Sequence, residues 1–258
     1  MNLGIAGRKV IVCASSRGLG KACARALAEA GCEVVINGRD AKKLEAAASE
    51  LSVAGVKVIP VAADVATAEG QKALLAACPQ PDILVNNNAG PPMRDFRELT
   101  RQQMLDGVIA NMVVAIELIQ KVIDPMCQRK FGRVINITSG SVKMPLAGLD
   151  LSSGARAGLT AFLAGVARKV ADKNVTINNI LPGAFDTDRL RSTLSKSAEQ
   201  QGKSMDEVAA NRMAGIPAKR FGNPDEFGAA CAFLCSSHAG YITGQNLLID
   251  GGTFNGAF

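Results

Sequence analysis

The sequence predicts an α/β fold, in which one doubly wound parallel sheet of seven strands carries helices on both faces. Short β-branched runs alternate with segments of helix length along all 258 residues. The chain is 48% hydrophobic but only 4% aromatic, so its core must consist mostly of Ala, Val, Ile and Leu, which suits a buried parallel sheet covered by alanine-rich helices. No linker rich in Pro, Gly or Ser interrupts the alternation, which predicts a single domain over residues 1–258.

The predicted strands and helices follow one another in a regular order. Strands are expected at residues 9–15, 32–38, 56–64, 81–87, 132–139, 174–181 and 245–252. Helices are expected between them at residues 17–31, 39–55, 67–78, 100–129 and 150–172. The first two helices are expected to end at Gly31 and Gly55, because glycine is common just after a helix C-terminus. Strands separated by helices of this length imply right-handed crossovers and therefore a parallel sheet.

One region, residues 184–223, departs from this alternation. It is polar and charged, helical in places, and lies between a strand and the penultimate helix. A long excursion at the carboxyl edge of a parallel sheet indicates a substrate lid. The alternative is a solvated surface insertion.

Composition and charge distribution argue against several classes of partner. The formal charge is +6, but Lys and Arg are interleaved with acids, and aromatic residues for base stacking are scarce. These features favour a mildly basic enzyme that binds an anionic cofactor over a nucleic-acid-binding protein. The N-terminal segment lacks the apolar region of a secretion signal, and no stretch of ~18 apolar residues could span a membrane. We therefore expect a soluble, cytoplasmic protein without a membrane partner.

The cysteines fit the same compartment. There are seven, an odd number, and no C-x-x-C pair occurs. Cys231 and Cys235 lie one helical turn apart, but Phe233 and Leu234 between them indicate a buried helix. No cluster of His, Cys, Asp and Glu has the spacing of metal ligands, so no metal site is predicted. Unpaired cysteines are typical of a reducing, cytosolic environment.

The segment after the first strand has the pattern of a dinucleotide site. Gly18 and Gly20, in the stretch CASSRGLGKA, lie where the first strand meets the first helix. Glycine lets the backbone approach a ligand closely, and the helix N-terminus offers free N–H groups and a positive dipole end to a pyrophosphate. The cofactor contacts expected in this turn are Ser15, Ser16, Arg17, Gly18, Leu19 and Gly20.

The end of the second strand bears on the choice between NAD and NADP. An acid there would accept a hydrogen bond from the ribose of NAD, but the stretch INGRD places Asn37 and Arg39 at this point. Asp40 comes later and is better placed to cap the next helix. Arg39 and Arg17 could bind a 2′-phosphate with two guanidinium groups, which favours NADP (NADPH) over NAD. Each arginine could also be an ordinary surface residue.

Together with further motifs, these features resemble the short-chain dehydrogenase/reductase family over residues 9–252. The family's T-G-x-x-x-G-x-G turn is similar to CASSRGLG, with Cys13 and Ala14 in place of its Thr and first Gly. The adenine-binding acid, the N-N-A-G sequence and the P-G-x-x-x-T sequence imply further cofactor contacts at Asp64, Val65, Asn88, Ala89, Gly90, Pro182, Gly183 and Thr187. The resemblance also implies a Rossmann fold, a homodimer or homotetramer, and similarity to 3-oxoacyl-ACP reductases.

The resemblance further implies a catalytic tetrad of Asn, Ser, Tyr and Lys, of which the last two are replaced. Asn111 matches the helical Asn, and Ser139 matches the Ser that binds a substrate carbonyl. Ser152 stands at the Tyr position and Arg156 at the Lys position, where it would also hold the nicotinamide ribose. The single tyrosine of the chain, Tyr241, belongs to the C-terminal motif.

This replacement changes the proton chemistry of the site. Carbonyl reduction by hydride needs a proton donor at the developing alkoxide. The pKa of a Tyr, ~10, can be lowered by a neighbouring cation, whereas a Ser hydroxyl is far less acidic and an Arg is a poor proton relay. Ser152 and Arg156 share one helix face, as Tyr and Lys would. The alternatives are that Ser152 or Asp150 caps this helix while Arg156 reaches solvent, or that Lys143 serves as a substitute acid.

Three functions remain open at this point. The first is an NADP-dependent oxidoreductase that interconverts a small-molecule carbonyl and an alcohol, in which Ser139 orients the oxygen, Arg156 adds positive charge, and Ser152 or a water passes the proton. The second is a cofactor-binding sensor or inactive subunit with little or no redox turnover, and the third is a lyase or isomerase on the same fold. A serine-hydrolase triad is not supported, since His238 is the single histidine and no G-x-S-x-G sequence occurs.

Overall fold

The computed structural model describes residues 1–52 and 55–257. Seven strands form one parallel sheet in the order β3-β2-β1-β4-β5-β6-β7. They are β1 (Lys9–Val12), β2 (Glu33–Gly38), β3 (Val58–Ala62), β4 (Ile83–Asn86), β5 (Gly132–Ile137), β6 (Val175–Pro182) and β7 (Asn246–Ile249). Each observed strand lies within or overlaps a predicted one, and the predicted doubly wound, seven-stranded α/β fold is confirmed.

Helices cover both faces of the sheet. They are α1 (Gly18–Glu29), α2 (Ala41–Leu51), α3 (Ala68–Ala77), α4 (Arg101–Val108), α5 (Val114–Gln128), α6 (Asp150–Val170), α7 (Asp188–Gln201), α8 (Met205–Ala214) and α9 (Pro224–Cys235). The predicted second helix, 39–55, ends at Leu51 in the structure, and its residues 53 and 54 lie outside the described residues. The predicted helix 100–129 is interrupted, because Ile109–Val113 forms a wider π-helical turn between α4 and α5.

The alternation of side chains along β1 explains why two separate cores form. Val10 and Val12 point to the face covered by α1 and α9, whereas Ile11 points to the face covered by α5 and α6. All three side chains are fully buried. The central strands β4 and β5 are likewise buried along their whole length, as expected for a parallel sheet with helices on both faces.

The strand order reverses between β1 and β4, which defines where a ligand should bind. β2 and β3 lie on one side of β1, and β4 to β7 extend on the other. In such sheets the crevice at the carboxyl ends of the strands, at the point of reversal, is the usual ligand site. The segments that leave β1, β4, β5 and β6 at this edge carry the glycine turn, the Asn-rich loop, Ser139 and the Pro-Gly sequence, which are the motifs identified in the sequence.

The predicted lid, residues 184–223, folds as a small helical unit. α7 and α8 share a core of Leu190, Leu194, Ala198 and Val208. An isolated bridge between Phe185 and Gly222 closes the base of this unit. The ring of Phe185 meets that of Phe227 in α9 edge to face at 5.3 Å, which anchors the unit to the main core. Its role as a lid stays a prediction.

The cysteines are unpaired, and most are buried. Cys231 and Cys235 lie in the core side of α9, so the expected buried helix is confirmed. Burial raises the pKa of the Cys13 thiol to about 12, which keeps it protonated and unreactive. Across residues 1–52 and 55–257, no three His, Cys, Asp or Glu side chains group as metal ligands, and none of the helices there combines the length and apolar character needed to cross a membrane.

Candidate active site

The turn between β1 and α1 is held open by buried polar side chains. Ser15 donates from Oγ to the Val12 carbonyl at 2.7 Å and accepts from the Asn37 amide N–H at 2.9 Å. The Asn37 side chain accepts from the Ala14 N–H at 3.2 Å and donates to the carbonyls of Val61 and Ala63 at 3.1 and 2.9 Å. Ser15 and Asn37 are thus buried supports of the turn, and their role as cofactor contacts stays a prediction.

Two backbone positions in this turn have special requirements. A Cβ at Gly20 would lie 2.4 Å from the Ala14 carbonyl oxygen, so any larger residue would push the turn and the helix apart. Gly18 has a φ of 58°, in the left-handed region that favours glycine. Ala14 also has a positive φ, 44°, although it carries a side chain. The chain therefore keeps the backbone path of a glycine turn where the first glycine of the family motif is absent.

The N-terminus of α1 differs from those of most other helices. Side chains cap α2, α3, α4, α7, α8 and α9. At α1, no side chain within the described part of the chain caps the first turn, and Arg17 precedes it. Free N–H groups at the positive end of a helix dipole make a binding site for an anion such as a pyrophosphate.

Exposed basic residues and one acid follow the carboxyl ends of β2 and β3. The Arg39 side chain is 76% exposed, and its Nη1 lies 3.9 Å from Oδ2 of Asp64. Asp64 Oδ1 accepts from the Ala66 N–H at 2.9 Å, while Val65 beside it is buried. Asp40 caps α2 by accepting from the Lys43 N–H at 3.1 Å, which confirms the interpretation of Asp40 as a helix cap. Arg17 is exposed, and Ser16 packs against Gly38 at the end of β2.

Two further segments lie on either side of the crevice. The Asn88 side chain donates to the Ala110 carbonyl at 3.1 Å and accepts from the Ala89 N–H at 2.8 Å, which orders the loop after β4. Thr187 caps α7, and its Cγ2 would lie 3.7 Å from a Cβ placed on Gly18. The segment after Pro182 and Gly183 therefore passes close to the glycine turn, as required if both contact one cofactor.

Ser152 and Arg156 form a buried pair near the start of α6. Arg156 donates from Nε to Ser152 Oγ at 3.3 Å, from Nη1 to the Ile137 carbonyl at 2.7 Å, and from Nη2 to the Asn88 carbonyl at 3.4 Å. The two side chains are only 6% and 7% exposed. The alternative in which Arg156 reaches solvent is wrong, because the guanidinium bridges the ends of β4 and β5. Ser152 does not cap the helix either, since the N-cap position is Leu149.

The pKa of Arg156 is lowered to about 10, first by burial and then by the positive charge of Arg189. The guanidinium therefore remains charged at neutral pH and donates hydrogen bonds without releasing a proton. Because it donates to Ser152 Oγ, the hydroxyl hydrogen of Ser152 is free to donate elsewhere. The pair supplies positive charge and one hydroxyl donor to this part of the site.

Ser139 follows β5 and starts a single turn of 3₁₀ helix. Its Oγ accepts from the Ser141 N–H at 3.1 Å and from the Ser141 hydroxyl at 2.9 Å. Both bonds use the oxygen as an acceptor, so the Ser139 hydroxyl hydrogen can donate to a substrate oxygen. Lys143, a few residues further, is partly buried with its Nζ 5.4 Å from the Phe254 ring centre.

A small cavity lies behind Arg156. It measures about 20 Å³, room for one water molecule, and Asn86, Asn111 and Arg156 help to line it. Asn111, in the π-helical turn, donates to the Gly107 carbonyl at 3.1 Å. Among the described residues, neither Asn86 Oδ1 nor Asn111 Oδ1 has a hydrogen-bond partner, although both are buried. Buried polar atoms of this kind are usually satisfied by an ordered water, and the cavity has room for one.

Sequence reasoning missed two residues of this site, Asn86 and Arg189. A Cβ on Gly90 would lie 3.0 Å from Nη2 of Arg189, so this guanidinium rests on the loop after β4. Each residue had a signal in the sequence. Asn86 opens an unusual run of three Asn residues, and Arg189 is a cation in the first turn of a helix, where the dipole disfavours positive charge.

This chain is similar to known proteins over most of its length. Residues 13–253 match the family model described as enoyl-(acyl carrier protein) reductase. The NADPH-dependent reductase BacG of Bacillus subtilis is 30% identical over 256 residues, covering 95% of this chain and 97% of BacG. The 3-oxoacyl-[acyl-carrier-protein] reductase FabG of Vibrio cholerae is 31% identical, covering 98% of this chain and 99% of FabG.

Solved structures show the same architecture. The L-sorbose reductase of Gluconobacter frateurii, crystallised with NADPH and L-sorbose, superposes with a TM-score of 0.94 at 28% identity and covers 100% of both chains. The family model spans most of the chain, and the glycine turn, the Asn-rich loop and the Pro-Gly segment lie together at one sheet edge. The chain belongs to the short-chain dehydrogenase/reductase family of enzymes.

Proposed function

We propose that this chain is an NADPH-dependent oxidoreductase that interconverts a small-molecule carbonyl and an alcohol, with the Ser152–Arg156 pair in place of Tyr and Lys. The observation that carries the proposal is the buried Arg156 guanidinium, which donates hydrogen bonds to Ser152 and to the carbonyls of Ile137 and Asn88. It lies at the sheet edge where the N-terminus of α1 is uncapped. A buried charge without a carboxylate partner is costly to maintain, which argues for a functional role. The relatives BacG and L-sorbose reductase use NADPH.

The residues present fit a dinucleotide. The N-terminal N–H groups of α1 would hold the pyrophosphate, and the exposed Arg17 and Arg39 would bind the 2′-phosphate. Asp64 and Val65 would contact adenine, and the loop from Asn88 to Gly90 would contact ribose. Pro182, Gly183 and Thr187 would enclose the nicotinamide ring. When bound, NADPH supplies the hydride.

The protein side chains would position the substrate and handle its charge. Ser139 donates its free hydroxyl hydrogen to the carbonyl oxygen and orients it. Ser152 donates a second hydrogen bond, and the Arg156 guanidinium stabilises negative charge on that oxygen. Neither a Ser hydroxyl nor a water is acidic enough to be the net acid, so Ser152 or a water relays the proton: it gives its hydrogen to the alkoxide and regains one from water, and the hydroxide that remains is neutralised in bulk solvent. The cavity lined by Asn86, Asn111 and Arg156 has room for one water of this relay.

The compartment, assembly and substrate belong to the same proposal. The seven unpaired cysteines fit the cytoplasm, and we expect a homodimer or homotetramer, which light scattering would measure. The substrate is expected to be a small ketone or aldehyde, with 3-oxoacyl thioesters as one class because FabG is a relative. The helical unit at residues 184–223 would act as the lid that selects it.

A second candidate, cofactor binding without redox turnover, is favoured by one observation. The single tyrosine of the chain, Tyr241, is fully exposed in the C-terminal segment and therefore supplies no acid at α6. Ser152 and Arg156, which stand there, are both much weaker acids than a Tyr. NADPH binding can be followed by the fluorescence emission of NADPH itself. Quenching of tryptophan fluorescence is not an option, because the chain has no tryptophan. Both candidates predict micromolar binding, and no binding would contradict both.

Turnover then separates the two candidates. The proposed reductase oxidises NADPH with at least one member of a carbonyl panel, and Ser152→Ala or Arg156→Ala lowers that activity sharply, roughly 100-fold or more for Arg156→Ala. If the wild type binds NADPH without oxidising it, and the double change Ser152→Tyr with Arg156→Lys creates activity, the chain is a cofactor-binding protein instead.

A further inference from the structure

Arg189 is a cation of the crevice without an assigned role. It lies in the first turn of α7, and its guanidinium rests on Gly90, where a Cβ would be 3.0 Å from Nη2 and 3.2 Å from Nη1. A side chain at position 90 would require the guanidinium to shift slightly. Within residues 1–52 and 55–257, no acid forms an ion pair with Arg189, and its guanidinium makes no hydrogen bond to the protein.

Arg156 reaches the same loop from α6. Its Nη2 donates to the Asn88 carbonyl, two residues before the glycine on which Arg189 rests. The positive charge of Arg189 contributes to lowering the pKa of Arg156, so the two guanidinium groups repel each other electrostatically. As with Arg189, no carboxylate of the described residues pairs with Arg156. Two like charges thus flank one loop without a counterion from the protein.

The helix dipole does not explain a cation at position 189, which is exposed in the first turn of α7. The first turn of a helix favours acids, because its dipole is positive there. Arg191 in the same helix shows the contrast, since it binds Asp186 through two hydrogen bonds of 3.0 and 3.1 Å. Arg191 pairs with a neighbouring acid, whereas the exposed Arg189 opposes the helix dipole and places its guanidinium against Gly90.

We propose that Arg189 and Arg156 together bind an anionic oxygen group, a phosphate or a carboxylate, over the loop formed by Asn88, Ala89 and Gly90. Guanidinium groups match both anions in shape and donate paired hydrogen bonds to them. Two ligands of the proposed function could supply the anion, and the proposal rests on that function for their identity. One is the pyrophosphate of NADPH, and the other is a carboxylate on the substrate.

The test compares Arg189→Gln and Arg189→Lys with Arg191→Gln as a matched control on the same helix. The dissociation constant of NADPH is measured by its emission at fixed ionic strength. In protein loaded with NADP⁺, which does not reduce a carbonyl, binding of acetoacetate and of its uncharged methyl ester is measured by titration calorimetry. Circular dichroism of each variant confirms that α7 is intact.

We expect Arg189→Gln to weaken the binding of one anion by about 10-fold to 100-fold, because a charge-assisted hydrogen bond is lost. Arg189→Lys should restore part of the lost affinity, because it keeps the positive charge. Weaker NADPH binding identifies the cofactor phosphate as the anion. Weaker acetoacetate binding with an unchanged ester identifies a substrate carboxylate. The proposal is wrong if Arg189→Gln changes the affinity for NADPH and for acetoacetate by less than about twofold, or by no more than Arg191→Gln does. This outcome is separate from the proposed function, which NADPH oxidation by the wild-type protein tests.

Discussion

The turn after β1 and the first turns of α6 lie at the same edge of the sheet, and both depart from the sequence pattern of the family. In the turn, Cys13 and Ala14 replace Thr and Gly, yet Ala14 keeps a left-handed φ of 44° and the uncapped helix N-terminus is retained. At α6, the resemblance assigns Ser152 and Arg156 to the positions of the Tyr and Lys that would move the proton, and we propose that this pair acts in their place. Binding by backbone N–H groups survives a change of side chain, whereas chemistry carried by side chains does not survive unaltered.

The largest effect is expected at Arg156. Arg156→Ala removes the buried charge and leaves the carbonyls of Ile137 and Asn88 without a donor. We expect kcat for carbonyl reduction to fall roughly 100-fold to 1,000-fold, because a preorganised charge at the developing alkoxide is lost. Steady-state NADPH oxidation measures this, with Arg168→Ala, an exposed arginine of the same helix, as the control. Equal kcat values for the two variants would show that α6 carries no chemistry.

The next effect concerns the backbone of the glycine turn. A Cβ on Gly20 would be 2.4 Å from the Ala14 carbonyl, so Gly20→Ala should displace the turn and cost about 1–3 kcal/mol of unfolding free energy, as overpacking does. NADPH binding should weaken with it. Urea unfolding and NADPH emission measure the two effects.

Gly165→Ala is the matched control, since no atom lies within 4 Å of a Cβ at that exposed helical position. It should raise the unfolding free energy by about 0.5–1 kcal/mol, because alanine favours helix over the unfolded chain. A Gly20→Ala variant that is as stable as the wild type and binds NADPH normally would disprove the backbone argument.

The smallest effect is expected at Ala14. A left-handed conformation costs a residue with a Cβ about 1–2 kcal/mol, so Ala14→Gly should stabilise the fold by up to ~1 kcal/mol after the entropic cost of glycine. Lys130, with a φ of 53° far from the crevice in sequence, gives the comparison. Thermal unfolding should show a similar gain in stability for Ala14→Gly and Lys130→Gly. The affinity for NADPH should change in Ala14→Gly and stay unchanged in Lys130→Gly. A loss of stability in Ala14→Gly would mean that the turn is not strained.

The sequence was sufficient for the fold because its strands are short, β-branched and regularly spaced by helices. It also located the turn, the Asn-rich loop and the Ser152–Arg156 pair. It did not reveal that the Asn37 amide is engaged within the protein, because its partners Val61 and Ala63 come from a neighbouring strand. The approach of Arg189 to Gly90 joins residues about a hundred positions apart, which a one-dimensional pattern does not encode.

The family resemblance implies a backbone kink at Asn111, but the π-helical turn there is not readable from the hydrophobic periodicity. The periodicity of residues 100–129 is helical throughout, and one wider turn changes it too little to be read from the sequence. Its effect is local but important, because it places a buried oxygen without a partner in the cavity behind Arg156.

One measurement tests the central proposal, that the Ser152–Arg156 site supports hydride transfer. The wild-type protein is given NADPH carrying deuterium at the transferred position, together with a panel of ketones and aldehydes, and the alcohol products are examined by mass spectrometry. We expect deuterium in the product of at least one substrate, and none when Ser152→Ala and Arg156→Ala are combined. Saturated NADPH binding without label in any product, or equal labelling by the double variant, would contradict the proposal.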